Sequence, residues 1–401
     1  MRVYTAESEE ALRARSLLKD WAGEGYLSKT QHERMEQETV CELRRTNIFL
    51  RLVLFLFTVI IVAAGTGLFF VVIFSRSSQR GTGVFLLFCA VVLYACAEFA
   101  VMQAKLYRYG IEEALALCSI AFLCVGVAAT FGGLSFFSNS LATEFLVAAT
   151  GALASLWVWS RFGFAYAFLA AMIFVVWLPG YWTSSGPAHH VIVAALYAAG
   201  LITVVAVRPR HRFTYLDNDY SIVESLLWFG IYVAVNLQLS SVDVIGHWLR
   251  GGQSAAEFPK TFYWVTWVLI WCVPPAVLAR GVHQKDRFVI AVGAVVAILT
   301  LVTNKPYLGG QRHTWDPMLL GALLIGVALF LRRWLAGGES SVRHGFTAQR
   351  LSGKDKQLMS AAAAGLGFVS PNSISVNTKA ASSGPQFGGG DSGGGGASSN
   401  F

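Results

Sequence analysis

Glu98, in the run YACAEFAVMQA, is the carboxylate set deepest in any apolar stretch of this chain. An ionisable side chain in hydrocarbon is costly and normally faces a protein interior, a water path or a counter-charge. At the helical rise it lies about 9 Å from the inner end of its run. One reading is a proton or cation relay, or a partner for a basic group such as Arg51. The other is a carboxylate neutralised by desolvation, or one reaching the inner interface near Lys105. Asn236 and Gln238, in YVAVNLQLSS, place two amides in a second apolar run, where they can line a substrate path or hydrogen-bond between helices. Pro274 and Pro275, in WCVPPAVLARG, remove helical hydrogen bonds in the middle of a third. That gives either a break exposing backbone to a cargo or a static kink repaired by neighbours. Together Glu98, Asn236, Gln238, Pro274 and Pro275 form the candidate polar path of a secondary transporter.

A second group of ligand-type residues collects on what would be the outer side: His189, His190, His247 and His313 with Asp243, Glu257 and Asp316. Imidazole and carboxylate bind metals and serve hydrolysis. Here no HExxH or similarly tight spacing joins them, so the alternative is a solvated rim. Glu224 and Asp243 bracket the run that holds Asn236 and read as interfacial, within reach of water. The sequence contains no GxxxxGK[ST], GxSxG or CxxC, and no GxGxxG following a strand. No catalytic, cofactor-binding or metal residue is assigned, and no cofactor is expected.

The elements that must position these residues are apolar helices. Only 13% of the 401 residues are charged, about half the usual share, and 55% are hydrophobic. About twenty apolar residues span a bilayer as a helix, the element that satisfies its own backbone in lipid. Ten such runs are read: 52–74, 84–104, 114–134, 141–159, 162–182, 188–207, 222–242, 262–279, 288–303 and 317–336. The ninth is short, and the eighth carries the proline pair. WLPGYW, with Trp177 and Trp182 around Pro179-Gly180, marks a helix exit in an aromatic belt. The first run follows a long polar stretch and is too long for a signal-peptide core, so no secretory signal is expected. Five of the six cysteines lie inside runs and Cys41 precedes them, which argues against a disulfide framework.

The net charge of +8 does not call for nucleic acid. With the N-terminus in the cytoplasm, 25 of the 31 Lys and Arg residues fall on the inner side of this threading. That is the positive-inside bias. Both termini are therefore expected in the cytoplasm.

Ahead of the first run stands LLKDWAGEGYLSKTQHERMEQE. Ala11, Ala14, Leu18 and Trp21 recur on one helical face, and Gly23 and Gly25 bracket a turn. Ser28 followed by Gln31 is a capping box opening a second helix, on which Met35 and Leu43 continue an apolar stripe. This hairpin resembles the leader of bacterial polytopic membrane-protein families of unknown function. In them a cytoplasmic helical hairpin, with a Gly turn and an apolar-Ser/Thr pair (here Gly25, Leu27 and Ser28), precedes many spans. The resemblance covers about 30 residues and implies an architecture and a bacterial inner membrane, with no chemistry attached.

At the other end, FGGGDSGGGGASSNF is Gly/Ser low complexity, unable to bury enough apolar area to offset chain entropy. The strip 358–369 is too short to span and reads as interfacial or as linker.

The expected fold is thus an all-α polytopic transmembrane bundle. Residues 1–47 form a cytoplasmic hairpin, 48–336 the membrane domain and 337–401 a disordered cytoplasmic tail. The function read from it is an integral inner-membrane protein with no biochemical role assigned, a scaffold or sensor ahead of an enzyme. Its partners are the lipid bilayer and, through the hairpin, a second copy or a cytoplasmic protein. The transporter is the alternative, and a membrane-embedded enzyme using the outer His/Asp rim comes third.

Overall fold

The computed structural model describes residues 2–23, 25–39, 43–44, 46–74, 78–131, 141–183, 185–211, 214–239, 258–308, 315–337, 342–343 and 346–347. Among these the fold is all-α, with twelve helices. The first two are α1 (Ala6–Gly23) and α2 (Lys29–Glu38). The apolar runs supply α3 (Ile48–Phe69), α4 (Gln79–Ala104), α5 (Ile111–Phe131), α6 (Leu141–Phe162), α7 (Ala165–Trp177) and α8 (Gly186–Val207). After these come α9 (Asp217–Val235), α10 (Lys260–Gln284), α11 (Arg287–Tyr307) and α12 (Asp316–Ala336).

Each expected run holds one helix. Eight are long and apolar enough to cross a membrane, which defines a multi-pass helical membrane protein. The eighth and ninth runs, which carry the proline pair and the short stretch, are full helices of 25 and 21 residues. The fifth and seventh are the shorter ones. The α7 helix and the 3₁₀ turn that follows it make one apolar segment, Ala165–Tyr181, which ends where Pro179 enters that turn. The α9 helix opens on Asp217 and Asp219 and stops at Asn236, whose side-chain oxygen accepts the N–H groups of Gln238 and Leu239.

Two compact units divide the chain at Leu323/Leu324. In Met1–Leu323, neighbours in sequence pack as antiparallel pairs, α4 with α5, α6 with α7, α8 with α9 and α10 with α11, and α3 rests on α5. Three clusters of buried apolar side chains join them, centred on Phe168, Tyr197 and Leu227, on Val101, Ile120 and Phe162, and on Tyr232, Ile270 and Val296. The second unit begins within α12 and continues into two-residue strands in antiparallel register, Val342 opposite Thr347. The Gly/Ser stretch and the strip 358–369 lie outside the described residues.

The hairpin forms as its local chemistry dictates. Gly25 takes φ +81° in the turn, and Ser28 and Gln31 close both bonds of the capping box. It is also part of the first compact unit. Tyr4, ahead of α1, is buried against Val101, Phe162 and Phe164, while α2 buries no residue.

Candidate functional site

The charged side chains of the first unit concentrate at one end, where α3, α5, α7, α9 and α11 begin and α4, α6, α8 and α10 finish. Their most connected member is Arg208, in the 3₁₀ turn after α8. Its guanidinium donates to Glu224 at 2.7 Å, to Asp217 at 3.3 Å, to the Gln284 amide oxygen at 3.1 Å and to Asp286. Glu224 is fully buried and accepts a second bond from Arg280 at 3.0 Å. Asp286 accepts from the Ser221 hydroxyl at 2.5 Å, and its other oxygen caps α11 through the amides of Phe288 and Val289. Burial pushes the Asp286 carboxyl up, but Ser221 and Arg208 outweigh it and hold it below the ordinary carboxylate value.

The segment before α1 is fastened onto this end. Arg2 donates to Asp219 at 2.6 Å and to both oxygens of Glu9 at 3.2 and 3.3 Å. It passes over Gly163, at φ +74°, where an added Cβ would stand 3.0 Å from the guanidinium. The Val3 amide donates to the Arg161 carbonyl at 2.9 Å, and the Tyr215 amide to the Glu10 carboxylate at 2.8 Å. After α2 the chain returns and pairs Arg44 with the α4–α5 turn. Burial pushes the Glu9 carboxyl up to about 7 against the pull of Arg2, so it titrates near neutrality.

Between α1 and the turns α4–α5, α8–α9 and α10–α11 lies a cavity of about 590 Å³. Arg13, Arg108, Arg208, Lys285 and Arg287 bring positive charge to its wall, and Glu9, Asp217, Asp219 and Asp286 negative charge. Its size is that of a small-molecule site.

The five residues of the expected polar path are separated. Glu98 accepts from Arg161 at 2.7 Å and from the Tyr94 hydroxyl at 2.8 Å. The expected partner Arg51 instead grips Glu113 at the start of α5. Glu98 is therefore an ion-pair member near the charged ends of α4 and α6. Asn236 sits at the far end of α9, fully buried, and every hydrogen-bonding position of its amide is used. Its nitrogen donates to Tyr232 and Thr303, each at 2.9 Å, and its oxygen receives the two amides that end α9. The Gln238 side chain donates to the Tyr263 hydroxyl at 3.2 Å. None of the five lines the 590 Å³ cavity.

Pro274 and Pro275 lie inside an unbroken α10. Pro274 cannot bond the Ile270 carbonyl one turn back, and the Thr300 hydroxyl of α11 donates to that oxygen at 3.0 Å. The bond that Pro274 cannot make is thus replaced from α11, and the Asn236 network runs through Tyr232 to the same Thr300.

Of the outer rim, Asp243, His247, Glu257 and His313 lie outside the described residues. His190 is buried, with Nδ1 2.6 Å from the Ala234 carbonyl, and Asp316 pairs with Lys305 at 2.8 Å. Among the described residues, no group of three His, Cys, Asp or Glu side chains is arranged to hold a metal ion.

Sequence reasoning missed Arg2, Glu9, Arg208 and Asp286. It also read Glu224 as interfacial, whereas its carboxylate is enclosed between two arginines. The available signal was the pairing of opposite charges around two of these turns, Arg208 before Asp217 and Arg280 before Asp286.

No family model, curated protein or solved structure matches the chain. The class is defined by the coordinates alone: a multi-pass bundle of apolar helices whose charged end is covered by its own N-terminal segment.

Proposed function

We propose that this chain is an inner-membrane scaffold or sensor that acts through its N-terminal hairpin, with both termini in the cytoplasm. The observation that carries this reading is the division of labour within the hairpin. One edge of α1 is fastened to the bundle through Arg2, Glu9 and Glu10. The other edge, with α2, presents Leu17, Trp21 and Met35 to solvent around an apolar groove of about 250 Å³. Such a hairpin is held in place yet remains open to a second copy or a cytoplasmic protein. The Asn236 amide is satisfied between packed helices and Glu98 is held by Arg161 and Tyr94, which suits a fixed scaffold better than a moving substrate path through them. Native mass measurement of the full chain in lipid nanodiscs tests the reading. Trp21→Ala with Met35→Ala should reduce the oligomer or the recovery of its bound partner. Unchanged mass and recovery, also on deletion of residues 1–45, would remove the hairpin from the function.

A further inference from the structure

We propose that the 590 Å³ cavity beneath α1 is a binding site for a small organic molecule carrying phosphate, an inference that gives the sensor reading its ligand. The argument is one of charge accounting. All four carboxylates on the wall already accept from arginine: Glu9 and Asp219 from Arg2, Asp217 and Asp286 from Arg208. Arg208 is correspondingly used by its acceptors. Arg108 and Lys285 are different. Arg108 comes only within 3.6 Å of Asp219, beyond hydrogen-bonding range, and otherwise lies beside the Tyr107 ring. The Lys285 ammonium has no ion pair among the described residues.

These two cations come from separate turns, and both stand at a left-handed backbone angle, φ 51° for Arg108 and 55° for Lys285. At Lys285 that conformation is the C-cap of α10, so the turn's own geometry fixes where the ammonium emerges. A phosphate monoester carries nearly two negative charges at neutral pH, enough to answer both cations with one group. Tyr215 and Phe288 on the same wall give an organic body something to lie against. Because α1 forms one side of the cavity, a bound molecule would bridge the hairpin and the turns and hold the hairpin down.

The test is calorimetric titration of the full chain in phosphatidylcholine nanodiscs. Adenosine monophosphate and inorganic pyrophosphate probe a soluble ligand, and dihexanoyl phosphatidic acid probes a lipid headgroup. Binding of any of the three is expected to weaken about tenfold or more in the Arg108→Asn, Lys285→Asn double variant and to fall with added salt. Asparagine tolerates the left-handed angle, and wild-type circular dichroism and melting will show that the variant is folded. Which probe binds identifies the source of the phosphate. No binding of any probe, or equal binding by the double variant, overturns the proposal. Hydrogen exchange of the Val3 amide in the same samples reads hairpin docking separately, so a binding-competent chain with an undocked hairpin would contradict the sensor reading alone.

Discussion

The two ends of α9 solve the problem of polar groups in a membrane protein in opposite ways. At its start, Asp219 and Glu224 belong to networks of full charges built around Arg2 and Arg208, beside a solvent-reaching cavity. At its finish, Asn236, Tyr232, Thr300 and Thr303 form a neutral, fully enclosed knot in which hydrogen-bond donors and acceptors balance. The neutral knot fixes a helix stop and supplies a donor to the carbonyl that Pro274 leaves without one. The charged end holds a segment that comes from outside the bundle. Charges are costly to bury and become more so when a partner leaves, so a charged junction responds to protons and ions in a way that a neutral knot does not.

The sharpest way to break this comparison is at Arg208. Replacing it with Ala strands Asp286 and leaves Glu224 with Arg280 alone, and should cost on the order of 3–5 kcal/mol. The loss should appear as a large drop in the thermal midpoint of the detergent-solubilised protein.

Next comes pH. Glu9 has its docked-state pKa raised to about 7, above its ordinary value, so the docked state holds the proton more tightly than the released segment. Docking should therefore be strongest below about pH 4.5–5 as far as Glu9 is concerned. It should weaken as pH rises through 7, by up to about 3 kcal/mol. The charged neighbours that face Glu9 are Arg2, Asp219 and Arg108. Exchange of the Val3 amide at pH 6 and pH 8 reads the effect, and Glu9→Gln should abolish the pH dependence while keeping the hairpin docked.

Asn236→Ala should cost less, about 1–2 kcal/mol, because hydrogen bonds inside membrane proteins contribute modestly. A loss as large as that of Arg208→Ala would erase the contrast between the two ends. The smallest effect belongs to Glu98→Gln. Its pair with Arg161 is about a quarter exposed on both sides, so the melting midpoint should shift by about 0–1 kcal/mol equivalent.

Much of this architecture was legible in the sequence because apolar length and local capping chemistry are local signals. The ten runs, the Gly25 turn and the Ser28–Gln31 box need only residues within a few positions of one another. The exit of the fifth run at Pro179-Gly180 was legible, but the stop at Asn236 was not, because it ends its helix through an Asx-type capture rather than through loss of apolarity. The site was hidden for a related reason. Arg2 meets Asp219 more than two hundred residues away, and Thr300 repairs a carbonyl thirty residues away, so composition offers the chemistry without naming the partner. Glu98 drew attention as the deepest acid in a run, yet its helix places it one side chain from Arg161. Depth along a sequence does not report what stands beside a residue on the next helix.

The most direct measurement is residue-resolved hydrogen exchange of the Val3 and Tyr215 amides in nanodisc-embedded protein at pH 6, compared with the Arg2→Ala variant. If the N-terminal segment is fastened to the charged end of the bundle, both amides exchange at least about tenfold more slowly in the wild type. Equal rates in the two proteins would mean that the segment hangs free, and the account of this face as a charged latch would be wrong.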